Sequence, residues 1–242
     1  MKEKNSSYNL KKFLITLIRF LTYGMLIMLL AEFLRLDASN DPLGSKFAEN
    51  SLTEKLQSLM LFITSCIFLF SAFKYKRFSM ISLSLFGFVA ASLIREQDVY
   101  LDEWFFHGSW KIGSFGILIL TMFIILKNFK NFIAQVSEFS ATFVFGLIIN
   151  GILTTYIFSR LIGRKIFWML VMEDRYFRDV KNAAEECLEL YGYLLILIAT
   201  VEYLIDLIYD ENTSISASSD IARSRERLPA TRQEYPVRQN LV

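Results

Sequence analysis

The chain has 242 residues, 54% of them hydrophobic and 15% aromatic, including 23 Phe. Its mean hydropathy is +0.38, which is more apolar surface than one soluble core can bury, so part of it must face lipid. A formal net charge of +2 gives no reason to expect a nucleic-acid partner, and three Pro, ten Gly and two Cys exclude a loop-rich, disulfide-stapled scaffold.

The chain opens with Lys2, Lys4, Lys11 and Lys12 ahead of an apolar window, Phe13–Ala31. The window runs straight into Glu32 and Arg35 with no small-residue cleavage site, so it reads as a retained anchor rather than a removed leader. A membrane-crossing helix needs roughly 20 apolar residues. Five further windows meet or approach that length: Leu56–Phe73, Phe78–Ile94, His107–Leu126, Phe139–Ser159 and Leu188–Ile208. They are apolar all round and do not alternate in segments of about ten residues, which selects helices over barrel strands. The expected fold is therefore all-α, a polytopic membrane helix bundle of about six transmembrane helices. Its organisation reads as an N-terminal segment (1–12), a transmembrane domain (13–210) and a tail (211–242). From Thr213 the tail is rich in Ser, Arg and Gln without periodicity, and is expected to be disordered.

Basic residues orient such a chain, and those near short loops count most. With the N-terminus in the cytoplasm, fourteen Lys and Arg fall inside and eleven outside, with Arg19 inside the first window. The short hairpin Lys74-Tyr75-Lys76-Arg77 sets the direction: both termini in, in a membrane of the bacterial inner (plasma) type. The longer polar loops, Glu32–Lys55, Arg95–Lys111 and Arg160–Glu186, then share the outer side. Within the last of these, Ile166–Met172 is apolar but too short to span, and it is bracketed by Arg164, Lys165 and Glu173-Asp174-Arg175. That pattern predicts an interfacial or re-entrant helix near 164–180.

The stretch Arg95–Lys111 carries charges of both signs and the only histidine. A helical turn would set Asp98 beside Asp102 and Glu103 beside His107, with Lys111 one turn on. The helix of the fourth window is expected to begin before Lys111 and to carry His107 and Lys111 into the interface, with Trp104 and Trp110 in the aromatic belt. Two readings stand: loop charges satisfied by water and one another, or a site for acid–base chemistry or a hard divalent cation. A single histidine and no cysteine cluster exclude the usual zinc patterns, and the residues select neither a metal nor a cofactor.

Glu185, Glu186 and Glu189 stand where the sixth window begins. Helix capping explains one carboxylate there, and three within five positions, the last a turn into the membrane, exceed it. Glu54-x-x-Gln57 before the second window has a faint likeness to Glu186-x-x-Glu189, with too few matched positions for a repeat. On the inner half, Arg19 and Glu202 lie at matching depths, about 10 Å in at ~1.5 Å per residue, and are expected to form a structural ion pair between the first and last helices. Asn150 is expected to hydrogen-bond another helix from mid-span, and Gly87 and Ala91 to permit close helix approach. Cys66 and Cys187 differ in depth and read as unpaired packing residues.

No nucleophile elbow, phosphate-binding loop, His-Glu-x-x-His or Cys-x-x-Cys is present. The expected function is thus drawn from co-location: an outward-facing polar pocket that binds or processes a lipid headgroup or envelope precursor. Arg95, Glu96, Asp98, Lys111, Arg160 and Arg164 are the candidate ligand-binding groups, and Asp102, Glu103, His107, Glu186 and Glu189 the candidate catalytic ones. The alternative is a non-catalytic subunit or scaffold docked on a partner membrane protein. A small transporter would want paired broken helices or a polar midplane, which Asn150 alone does not supply. Membrane lipids are the expected partners, with a membrane protein as a second.

Overall fold

The computed structural model describes residues 2–40, 42, 46–47 and 51–226, and every regular element among them is a helix. Six helices are long and apolar enough to cross a membrane, so the chain is an integral membrane protein. In chain order they are α1 (Lys2–Asn40), α2 (Leu52–Lys74), α3 (Ser79–Glu96), α5 (Ser109–Lys127), the run from α7 (Phe143–Leu153) through a π-helical turn (Thr154–Phe158) into α8 (Ser159–Ile162), and α10 (Arg178–Glu226). Shorter helices join them: α4 (Asp98–Trp104), α6 (Phe129–Phe139) and α9 (Lys165–Met172). The chain divides into two units, 1–204 and 205–242. The second, over its described residues, is the helical stretch that ends at Glu226. The helix runs to Glu226, and the rest of the tail expected to be disordered, 227–242, lies outside the described residues.

Local chemistry explains where the helices begin. Ser51 caps α2, its Oγ accepting from the Glu54 amide at 3.2 Å. Asp37, near the end of α1 and almost fully buried, reinforces that cap by accepting from the Leu52 and Thr53 amides at 3.1 and 3.0 Å and from the Thr53 hydroxyl. The first helix is thereby tied to the second across the loop. Along most of its length α1 is otherwise bare, with only 6% of its most apolar window buried.

The fifth window was set too early. Phe139 belongs to α6, and the spanning helix starts at Phe143, capped by Thr142, whose Oγ1 accepts from the Phe145 amide at 3.2 Å. Phe129, Phe132, Ile133, Val136 and Phe139 recur at helical spacing, which makes α6 amphipathic. The side chain of Gln135 serves a neighbour: α3 begins after Phe78 in a left-handed conformation (φ 56°) with no cap of its own, and Gln135 Oε1 accepts from the Met80 and Ile81 amides at 2.8 and 3.4 Å. Glu138 pairs with Arg77 at 2.6 Å, and Phe78, Phe139, Phe68 and Tyr203 stack into one aromatic cluster.

Helix packing uses small residues. Gly87 lies against Thr121 of α5 so closely that an added Cβ would sit 2.8 Å from the Thr121 Cβ, and Ser114 Oγ donates to the Ala91 carbonyl at 3.1 Å. Gly151 of α7 and Gly192 of α10 meet more tightly: a Cβ on Gly192 would come within 2.9 Å of both the Gly151 carbonyl oxygen and the Thr155 nitrogen. Two expectations are corrected. Asn150 is exposed and its amide oxygen meets Thr154 of its own helical run at 3.5 Å, so among the described residues it bonds within that run and not to another helix. Cys66 faces outward rather than into the packing; both cysteines are free.

Helix α9 has the character of an interfacial segment. None of its residues is buried, Ile166, Leu170 and Val171 stand out, and the Trp168 indole anchors it by donating to the Ile162 carbonyl at 2.7 Å.

Candidate functional site

Polar groups gather where α2 begins, α3 ends, α8 ends and α10 begins. The π-helical turn sets the geometry on one wall. Its wider loop, closed by the Ser159 amide on the Thr154 carbonyl, turns Tyr156 toward α3 and Arg160 toward α10. Tyr156 donates to Ser92 Oγ at 2.6 Å. Arg160 forks over two carboxylates, Glu185 at 2.8 Å and Glu189 at 2.9 Å. Lys181, one turn before Glu185, pairs with it as well. Glu189 is only 3% exposed, and besides Arg160 it has a weak 3.5 Å contact from the Ser159 hydroxyl and the field of Arg95.

The second part of the network hangs on Glu96. Arg95 and the buried Tyr193 hydroxyl both donate to it at 2.9 Å, and both reach the same oxygen, Oε1. Glu186 is reached from α2, where Gln57 Nε2 donates to it at 2.9 Å. The carboxylates of Glu54, Glu96 and Glu185 surround Glu186 with like charge. Gln57 itself is 1% exposed, and its Oε1 is buried without a donor. An orphan acceptor among crowded carboxylates is costly, so this end of the bundle is arranged at the expense of stability.

Beside this network lies a cleft of about 480 Å³. Helix α2 lends it Glu54, Lys55 and Ser58, the end of α3 lends Glu96 and Gln97, and α4 lends Tyr100, Leu101 and Trp104. Gln97 Nε2 donates to Ser58 Oγ at 2.6 Å and pins the two walls together. Among the described residues the Lys55 ammonium has no hydrogen bond or ion pair. Glu96 belongs to both the cleft and the buried network.

The remaining candidates take other positions. Asp98 and Asp102 share α4, but that helix stops at Trp104 and α5 starts at Ser109, so Glu103, His107 and Lys111 do not follow one helical face as expected. The break has a cause: Gly108 adopts φ +85°, and its amide donates to Asp102 Oδ1 at 2.8 Å. Asp102 also holds His107 Nδ1 at 3.0 Å, with the imidazole fully exposed. Asp98 accepts from the Val99 amide at 2.7 Å, and Glu103 is exposed. Lys111 lies 5.7 Å from the centre of the Trp110 ring, and Arg164 is exposed at the start of α9. Among the described residues no three of His, Cys, Asp and Glu are grouped to hold a metal ion.

At the other end of the bundle Arg19 pairs with Glu202 at 2.8 Å, and the Tyr23 hydroxyl donates to the same carboxylate. Compared with known proteins, the chain matches no family model, no curated protein and no solved structure.

Proposed function

We propose that this integral membrane protein binds the polar headgroup of a membrane lipid, or of a lipid-linked envelope precursor, in the cleft between α2, α3 and α4. The observation that supports this reading is Glu96, one carboxylate shared by an open cleft and a buried network of arginine, tyrosine and glutamate. Ligand pockets combine an apolar or aromatic wall with a few positioned polar groups, and Tyr100, Leu101 and Trp104 opposite Lys55 and Glu96 fit that description. Arg95 and Tyr193 hold Glu96, and Arg160, Glu185, Glu186 and Glu189 make up the rest of the polar network. In this reading both termini are cytoplasmic and the cleft opens at the outer leaflet of a bacterial-type inner membrane, the direction favoured by the Lys74–Arg77 hairpin.

The test is mass spectrometry of the intact protein released from mild detergent, wild type against Lys55→Gln and Trp104→Ala. Both side chains are exposed, so both variants should fold. Wild type carrying a lipid that the variants lose supports the reading; equal retention removes it.

A second reading rests on α1. Its apolar surface is almost wholly uncovered, with Phe13, Ile18, Phe20 and Met28 all turned outward, which suits a scaffold helix laid against a partner membrane protein. A stoichiometric protein that stays bound through purification and leaves on substitution of these residues would support it.

A further inference from the structure

The charge pattern of the cleft narrows the ligand, on the premise that the cleft is a headgroup site. Its lining holds two carboxylates, Glu54 and Glu96, and one ammonium, Lys55. Both hydrogen bonds to Glu96 fall on Oε1, so Oε2 keeps its capacity to accept. Lys55 has no partner among the described residues, and it lines the same cleft as Glu54, so α2 lends the opening charges of both signs. Tyr100 and Trp104 add aromatic faces, which attract a cation. A purely anionic headgroup entering here meets two carboxylates; a purely cationic one meets Lys55. A group that carries both signs a few ångströms apart meets neither conflict.

We propose that the cleft selects a zwitterionic phosphoethanolamine headgroup, its phosphate on Lys55 and its ammonium between Glu96, Glu54 and the rings of Tyr100 and Trp104. A primary ammonium supplies N–H donors to Glu96 Oε2 that a trimethylated one lacks, so the cleft separates ethanolamine from choline as well as from glycerol. The headgroup belongs to a lipid: Leu59 and Phe62, on the same helix just past Ser58, are exposed and apolar, and give an acyl chain a surface to follow.

The experiment is a competition in detergent, read by mass spectrometry of the intact protein, among phosphatidylethanolamine, phosphatidylcholine and phosphatidylglycerol of identical acyl chains. Soluble O-phosphoethanolamine forms a fourth arm. Phosphatidylethanolamine should be retained about tenfold over the other two, the ratio expected for one charge-assisted hydrogen bond gained or lost. The preference should fall toward one in Glu96→Gln, and in Lys55→Gln overall retention should drop. Because Glu96 also supports the buried network, Glu54→Gln serves as the second carboxylate variant, and thermal unfolding checks that each variant folds. Equal retention of the three lipids, or a preference for phosphatidylglycerol, overturns the zwitterion proposal and leaves headgroup binding standing. Retention of no lipid by the folded protein removes the headgroup reading and this proposal with it. Stronger binding of soluble O-phosphoethanolamine than of the lipid overturns the lipid as the source.

Discussion

Replacing Arg160 by Met tests whether the buried carboxylates depend on it. Arg160 NH1 and NH2 hold Glu185 and Glu189 at 2.8 and 2.9 Å. Glu185 retains Lys181 after the change, whereas Glu189 retains only the 3.5 Å contact from Ser159 and the field of Arg95. Removing one partner of a buried pair costs ~3–5 kcal/mol. The Arg160 side chain is 46% exposed, so part of its attraction is screened and about 3 kcal/mol is the better figure. For a chain of this size that corresponds to a melting temperature lower by about 6–12 °C. Adding Glu189→Leu to Arg160→Met removes the stranded charge, and most of the loss should return. Thermal unfolding in detergent, followed by tryptophan fluorescence, measures all three proteins. An Arg160→Met melting temperature within a degree of wild type, or a double variant no better than the single, would refute the reasoning.

Gly192→Ala should be worse than any charge substitution, because the methyl would meet the backbone of Gly151 and Thr155, which cannot rotate away; loss of monodisperse protein on size exclusion reads this out. Gln135→Ala leaves two amides of α3 uncapped and should cost about 1 kcal/mol in thermal or denaturant unfolding, with Gln135→Glu recovering most of it. Arg19→Leu leaves Glu202, which is only 6% exposed, with the Tyr23 hydroxyl as its remaining donor, and because the Arg19 side chain is 44% exposed the change should lower stability by about 2 kcal/mol, with Arg19→Leu/Glu202→Leu recovering part of that loss; a double change no better than the worse single would break the argument. Glu103 is exposed, so Glu103→Cys in a cysteine-free background should react with a membrane-impermeant maleimide in intact cells; labelling only after lysis inverts the orientation.

The spans were legible because length and apolarity alone decide them, and the acidic run at 185–189 drew notice because charge at that depth is expensive. Arg19 and Glu202 were legible as two opposite charges at one depth. What escaped is what depends on which helices become neighbours. Gln57, Ser92, Tyr156 and Tyr193 read as ordinary residues of apolar windows, yet each bonds across helices. The likeness between Glu54-x-x-Gln57 and Glu186-x-x-Glu189 was the nearest signal, since Gln57 and Glu186 do meet. Helix α6 was hidden for another reason: its apolar positions at 129, 132, 133 and 136 run into Phe139, and a window scan merges them with the next span. The expected helical face through His107 failed on a single glycine, Gly108, whose positive φ no periodicity records.

The two ends of the bundle differ in how they use polarity. At one end Arg19, Tyr23 and Glu202 make a compact set in which each charge has its partner, which is what a tie between two helices requires. Toward α2's start, among the described residues, Glu96, Glu185, Glu186 and Glu189 crowd around Arg95, Arg160 and Lys181, and a glutamine is left with an unsatisfied acceptor. Stability alone selects against that arrangement, since well-packed apolar residues would serve the fold as well or better. In the proposed reading, a headgroup that brings positive charge and N–H donors would relieve this crowding, and among the described clefts the one that shares a residue with the network is the one at Glu96. A ligand ammonium at Glu96 Oε2 would weaken that carboxylate's hold on Arg95 and free Arg95 to act more strongly on Glu189, so occupancy of the cleft would be felt in the buried carboxylates behind it.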